Sequence, residues 1–199
     1  MRSSAWTPRI SSKPSRALSK DSVAAGLVLR VASPLDAGAL AHVHRESWRT
    51  TYAGILPLEV IARHAGQKSE ASWRGRLAAS RGINATWIAE RPGEGLLGLA
   101  SCGPARSPIE GLDAEIYALY VLQSAQRRGI GRELVRASAR HFVRNGYFGF
   151  YLWVLKANRA RLFYEALGGE EIAERTERLG GHPFAEVAYG WHDLAALVG

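Results

Sequence analysis

The chain has 199 residues, 47% of them hydrophobic, which fits one domain with a sizeable core. No apolar run approaches the roughly 18 residues that span a bilayer, and no apolar segment precedes a small-residue cleavage site near the N-terminus, so neither an anchor nor a secretory signal is read here. The net charge of +8 favours anionic partners such as nucleic acid, acidic surfaces or phosphorylated cofactors, without choosing among them. The single cysteine, Cys102, cannot close an intrachain disulfide and reads as a small buried residue, so a cytoplasmic location is expected.

Residues 1–25 are rich in Ser, Arg, Lys and Ala and lack sustained periodicity. They are expected to form a disordered basic tail that carries about half of the net charge; the Arg/Ser content also resembles an organellar transit peptide. The remainder, 26–199, reads as one domain. A short β run at 27–31 comes first. Ser33, Pro34 and Asp36 then form a helix start, with an N-cap, a proline at the first helical position and a capping-box acid. That helix is expected to reach about Arg49, and one or two more fill 58–80. Strands at 86–89 and 96–101 flank the turn at 92–95 as a hairpin. The longest strand candidate covers 114–122. A helix over 131–145 stops at Gly146, a strand occupies 147–154, a helix 158–167 ends at Gly168-Gly169, and two strands lie near 171–178 and 184–191. The order predicts an α/β (α+β) fold: a mixed central sheet of about six to seven strands flanked by helices.

The stretch that carries chemistry is Gln126-Arg127-Arg128-Gly129-Ile130-Gly131, directly after the long strand and at the opening of a helix. Two glycines let the backbone pass close to a ligand. Free N–H groups at the helix start, with the positive end of the dipole, make an anion site suited to a pyrophosphate. A third glycine and a downstream acid are missing, which excludes the dinucleotide fingerprint, and no Gly-Lys-Ser/Thr follows, which excludes a P-loop. Alone, such a turn equally describes an ordinary tight loop.

The strand Ile116-Tyr117-Ala118-Leu119-Tyr120-Val121 followed by Gln/Arg-x-x-Gly-x-Gly resembles motif A of the GNAT acetyltransferases. Tyr151-Leu152-Trp153-Val154, then Asn158 to Gly169, resembles their motif B, and Glu186-Val187-Ala188-Tyr189-Gly190-Trp191 resembles their last strand. The likeness covers about 27–192 in order. It implies the GNAT acyl-CoA N-acyltransferase fold and transfer of an acetyl group from acetyl-CoA, as co-substrate, to a primary amine in a ternary complex. It further implies that the strand before motif A splays from its neighbour. Leu119 and Val121 would then offer backbone groups to the pantetheine arm. Gln126, Arg127, Arg128, Gly129, Ile130, Gly131 and Arg132 would hold the pyrophosphate, and Asn158 would bond near the pantetheine. Tyr164 stands where the family often places the general acid that protonates the departing thiolate.

Glu115, at the start of the long strand, stands where some family members place a glutamate base; the other reading is an idle, solvated strand-end charge. Period-two alternation puts Glu115, Tyr117, Leu119 and Val121 on one face. Arg132, Arg136, Arg140 and Arg144 form an i, i+4 ribbon opposite Ile130, Leu134, Ser138 and Phe142. Trp48, Tyr52, Ile55, Leu56 and Pro57 fall where the family borders its acceptor site, as pocket or as core. His42 and His44 point apart on a helix, and no metal-ligand spacing is present, so no metal is expected. The expected partners are acetyl-CoA and an amine acceptor, without membrane or nucleic acid; a homodimer is left open. The competing function is a GNAT-fold acetyl-CoA sensor that regulates without turnover. A nucleic-acid module fares worst, because no recognised motif accompanies the charge.

Overall fold

A computed structural model describes residues 26–109 and 111–199; the expected basic tail over 1–25 lies outside the described residues. The elements follow the order read from the sequence, with a short C-terminal helix added after the last strand. β1 (Val28–Val31) leads through a 3-10 turn (Pro34–Asp36) into α1 (Ala37–Tyr52), α2 (Leu58–Gln67) and α3 (Glu70–Ala79). β2 (Ala85–Arg91), β3 (Gly95–Ile109) and β4 (Leu112–Val121) form a meander. Next come α4 (Ile130–Arg144), β5 (Phe150–Leu155), α5 (Arg161–Ala166), β6 (Glu170–Leu179), β7 (His182–Trp191) and α6 (Ala195–Val198).

The strands form one seven-stranded sheet in the order β1-β2-β3-β4-β5-β7-β6. Every neighbouring pair is antiparallel except β4 and β5, which run parallel across the α4 connection. A parallel neighbour needs a crossover, and α4 supplies it. Its stripe of Ile130, Leu134, Ser138 and Phe142 is buried against the sheet, while Arg132 and Arg144 on the opposite face are exposed. Burial of each large apolar side chain in that stripe contributes about 1.5–3 kcal/mol. On the other sheet face, Leu40, Val43 and Trp73 from α1 and α3 pack on Ile88 and Leu99. Leu56, Val60 and Ile61 of the α2 region cover Leu155.

The start of α1 is held as its sequence suggests. Asp36 accepts from the Ser33 N–H at 2.7 Å and from the Arg30 guanidinium at 2.7 and 2.9 Å, contacts that keep its carboxyl far below the usual carboxylate range. Two elements differ from the sequence reading. β3 runs on to Ile109, eight residues past the expected end, through Gly103, Pro104 and Pro108. Prolines survive there because the ladder with β4 is interrupted between Pro104 and Ile109. α5 begins at Arg161 rather than at 158, because residues 158–161 first form i→i+3 turns, such as Arg161 N–H to Asn158 O at 3.3 Å.

Candidate active site

β4 and β5 share the single register pair Glu115↔Tyr151. Beyond it β4 follows β3 and β5 follows β7, so the two part. The gap opens a cleft of about 1370 Å³ through the sheet. Its walls include Leu119, Val121, the turn Gln126–Arg132, Asn158 and Tyr164, which brings together all the expected site residues except Glu115. Leu122 N–H donates to Leu97 O of β3 at 2.9 Å. Backbone groups alternate between strand edges, so those of Val121 and Leu119 point to the other edge, into the gap. Gln126 Nε2 confirms the direction by donating to Val121 O at 3.2 Å.

The mouth of the cleft is a cradle of amides. Arg127 takes φ 60° and Gly129 φ 80°, both left-handed. This pair of reversals turns successive N–H groups inward, as in anion-binding nests. Gly129 meets the requirement at no steric cost, whereas Arg127 carries strain of order 1–2 kcal/mol. Among the described residues, the next backbone donation after Gln126 N–H to Gln123 O is Glu133 N–H to Gly129 O, so the amides of 127–132 have no backbone acceptor. They add to the positive end of α4. A Cβ on Gly131 would come within 3.1 Å of Phe163 Cζ, so the ring and the turn already touch at the cradle floor. Arg128 is tied by two 2.8 Å bonds to Glu94 of the β2–β3 turn, and Arg136 to Glu133 at 3.1 Å. Arg127 and Arg132 remain exposed at the rim. Free amides and exposed guanidiniums fit the phosphates of a coenzyme A.

Further in, Asn158 is 9% exposed and its Oδ1 accepts from Ala160 N–H at 2.9 Å, which leaves its amide NH₂ for the cleft. Tyr164 is 7% exposed, packed by Phe163, Tyr189 and Trp191. Burial, and then nearby Tyr120, push its phenol well above the ordinary tyrosine value. It is therefore a protonated donor at any physiological pH.

Glu115 lies elsewhere. Ser101 pairs with Ala118 but Cys102 pairs with Ile116, so Tyr117 is a bulge in β4. One extra residue reverses the alternation. Ala114 and Ile116 before the bulge, and Leu119 and Val121 after it, all face α4. Glu115 and Leu119 therefore sit on opposite faces, contrary to the period-two reading. Glu115 is 1% exposed, beneath the β3 extension. It accepts from Arg106 N–H at 3.0 Å, from the Arg106 guanidinium and from Tyr151 Oη at 3.4 Å.

The far end of the cleft opens on the α1–α2 side. Tyr52 and Ile55, from the region flagged in the sequence, line it with Tyr120, Trp153 and Glu186. Trp48 packs behind them, donating from Nε1 to Tyr120 Oη at 2.9 Å and stacking on His64 at 5.0 Å. Tyr120 is pushed up to about 12 by burial. Trp153, Arg175 and Glu186 escaped the sequence reading as site residues. The one available signal was Glu186, a carboxylate within the otherwise uncharged stretch Pro183 to Trp191.

The family model described as FR47-like protein matches residues 108–179, the span from β4 to β6 that supplies most of the cleft lining. An uncharacterized N-acetyltransferase, YuaI of Bacillus subtilis, is 35% identical over 171 residues, covering 86% of this chain and 96% of the relative. A probable N-acetyltransferase of Mycobacterium tuberculosis, Rv2775, is 32% identical over 69% of this chain and 76% of its own length. Among solved structures, the PaiA N-acetyltransferase of Thermoplasma acidophilum in complex with coenzyme A superposes with a TM-score of 0.63 at 22% identity, over 83% of this chain and 99% of that one. With 35% identity to an N-acetyltransferase relative over 86% of the chain, added to the splayed sheet and amide cradle, the chain belongs to the GNAT family of N-acetyltransferases.

Proposed function

We propose that the protein is an acetyl-CoA-dependent N-acetyltransferase acting on a primary amine, with the cytoplasm as its compartment. The observation that carries this reading is the cleft itself: a strand edge with free backbone groups runs from the amide cradle at 127–132 to the buried phenol of Tyr164. The solved relative with coenzyme A supports the identity of the ligand.

Acetyl-CoA supplies the thioester carbon that a neutral amine attacks. The chain does the rest. The amides of 127–132 hold the pyrophosphate, and Leu119, Val121 and the Asn158 amide hold the arm along the open edge. A backbone N–H there, that of Val121, stabilises the oxyanion. The incoming ammonium first loses a proton to solvent. As the C–N bond forms and the C–S bond breaks, Tyr164 gives its proton to the departing sulfur, the amine's surplus proton leaves to solvent, and Tyr164 is reprotonated from solvent. Most of the rate comes from holding two reactants together. The cleft is built from one chain, and a homodimer is not needed to complete it.

Turnover separates this reading from a sensor that only binds. A series of primary amines with acetyl-CoA, followed by release of free thiol, is expected to give amine-dependent turnover that Tyr164→Phe suppresses. Binding of acetyl-CoA without thiol release for any amine would favour the sensor.

A further inference from the structure

We infer that Glu186 is the acceptor-binding residue, and that the acceptor is a primary alkylammonium with no acid group beside the reacting nitrogen. This deepens the proposed function and rests on it.

Glu186 sits on β7 between Leu155 of β5 and Arg175 of β6. Neighbouring Val187 faces α4, so Glu186 faces the α1–α2 side, where Phe184 packs with Leu56 and Val60. Its carboxylate is held from one side only. Arg175 Nε and Nη2 both donate to Oε2, at 3.0 and 2.8 Å, and Oε1 has no hydrogen-bond partner among the described residues. The Glu186 side chain is 14% exposed and lines the cleft. A fixed, half-satisfied carboxylate at the edge of a cavity is a site for a donor, and an ammonium is the donor this reaction brings.

The surroundings narrow the class. Of the cleft residues supplied by the α1–α2 segment, β4, β5 and β7, Glu186 is the one with a charge. The cleft arginines lie on the turn at 127–132 and at Arg159, with the cofactor cradle. Arg175 already faces two carboxylates. Besides Glu186 it has Glu177 at 3.8 Å, and its guanidinium lies 4.1 Å over the Trp153 ring. The balance of Arg175, Glu177 and Glu186 is one negative charge. Tyr52, Tyr120 and Trp153 add aromatic faces, which attract a cation. Burial first, then Tyr120, Tyr164 and Glu186, raise the Tyr52 phenol, which puts these groups within electrostatic reach of one another. An α-carboxylate on the acceptor would meet Glu186 with no cation to offset it, and like charge in a partly buried site is repelled.

Matched pairs differing by one carboxylate test this directly: tyramine against tyrosine, and pentylamine against norleucine. The parent protein is expected to favour each decarboxylated member at least about 100-fold in kcat/KM. Losing a hydrogen-bonded charge contact typically costs about 10- to 100-fold, so Glu186→Gln should raise the tyramine KM by that factor. The acetyl-CoA KM should stay within about two-fold, and Glu186→Asp should recover part of the loss. Equal use of tyrosine and tyramine would overturn the inference while leaving an acetyltransferase in place. A Glu186→Gln variant with the parent's tyramine KM would do the same. Should no amine turn over, calorimetric titration of tyramine into the coenzyme A complex decides. Binding lost in Glu186→Gln supports the assignment, and binding that is absent from the parent or unchanged in the variant refutes it. If acetyl-CoA itself fails to shift the melting temperature, the proposed function falls and this inference with it.

Discussion

Replacing Tyr164 by Phe removes one oxygen from a side chain that is 7% exposed and whose ring is packed by Phe163, Tyr189 and Trp191. The neighbouring Tyr189 hydroxyl is committed to Glu165 at 2.6 Å and to Arg161 at 3.1 Å, and no hydrogen bond among the described residues involves the Tyr164 hydroxyl, so the change breaks no internal contact. The phenylalanine ring keeps the same apolar surface, and folding stability should move by less than about 0.5 kcal/mol. Catalysis should respond differently. The raised phenol stays protonated, so at neutral pH the whole population carries the proton the leaving thiolate needs. Loss of a general acid typically costs about 10²–10⁴ in rate, equivalent to roughly 3–5 kcal/mol of barrier at 1.36 kcal/mol per decade. Turnover of a responsive amine is to be measured beside equilibrium binding of acetyl-CoA and the melting temperature. The expected result is a fall in kcat of that size, with binding kept within about three-fold. Equal losses in binding and turnover would make Tyr164 a packing or cofactor-binding residue, and no loss would remove it from the mechanism.

Acetyl-CoA at about 100 times its dissociation constant should stabilise the protein by roughly 2.7 kcal/mol, about 5–10 °C in Tm for a domain of this size. Gly131→Asp should abolish that shift by setting a carboxylate against the phosphates and a Cβ against Phe163; an unshifted parent at millimolar acetyl-CoA would count against the cradle. Glu115→Gln should lower stability by about 2–3 kcal/mol, because a charged acceptor of several bonds is lost, and should leave the shape of the pH–rate profile unchanged. A changed profile with an intact melting temperature would restore Glu115 as a base. His44 is lowered from 6.5 to about 4 by burial, then by Lys68, Arg76 and His64. The unfolded chain therefore binds a proton that the folded chain refuses, and stability is lost as pH falls from 6.5 toward 4. At pH 5 the loss is about 2 kcal/mol, or roughly 4–8 °C. His44→Phe should flatten that slope in melting curves between pH 7.5 and 5, and an unchanged slope would refute the assignment. The Asp36 ion pair, with its strongly lowered carboxyl, is lost only below that window.

The cofactor end of the cleft was legible because its requirements are local. A left-handed residue at the helix start, a missing Cβ two residues on and unpaired amides are all written within 126–132. The helix stripe of α4 and the β2–β3 hairpin were legible for the same reason: periodicity is a property of neighbours in sequence. The β3 extension was not, since Gly103, Pro104 and Pro108 signal a loop. Pairing with β4 overrode that signal, at the cost of an interrupted ladder. Nor was the Tyr117 bulge, because nothing in Ile116-Tyr117-Ala118 announces an extra residue. That bulge sets the parity of the whole strand. The acceptor end was the least legible, since α1, β4, β5 and β7 each bring one or two residues to it, with Arg175 of β6 behind Glu186, and no window of sequence contains them together.

The two glutamates show why position along a strand says less about chemistry than the bonds each oxygen makes. Both point to the side of the sheet that carries α1 and α2. Glu115 has both oxygens committed: Oε1 to the Arg106 guanidinium, and Oε2 to the Arg106 N–H and guanidinium, with Tyr151 Oη alongside. Taking an ammonium there would require breaking charge-assisted bonds in a site that is 1% exposed. The ammonium would then compete with Arg106 for the same oxygens. Glu186 also has an arginine, but both bonds from Arg175 converge on Oε2. That guanidinium also lies 4.1 Å over the Trp153 ring, a second contact that holds it in place and leaves the other oxygen out of the pair. An arginine that binds a carboxylate with both arms on both oxygens builds structure; one that grips a single oxygen presents the other. By that distinction Glu115 anchors the β3 extension to β4, and the carboxylate free to meet an incoming amine is the one on β7.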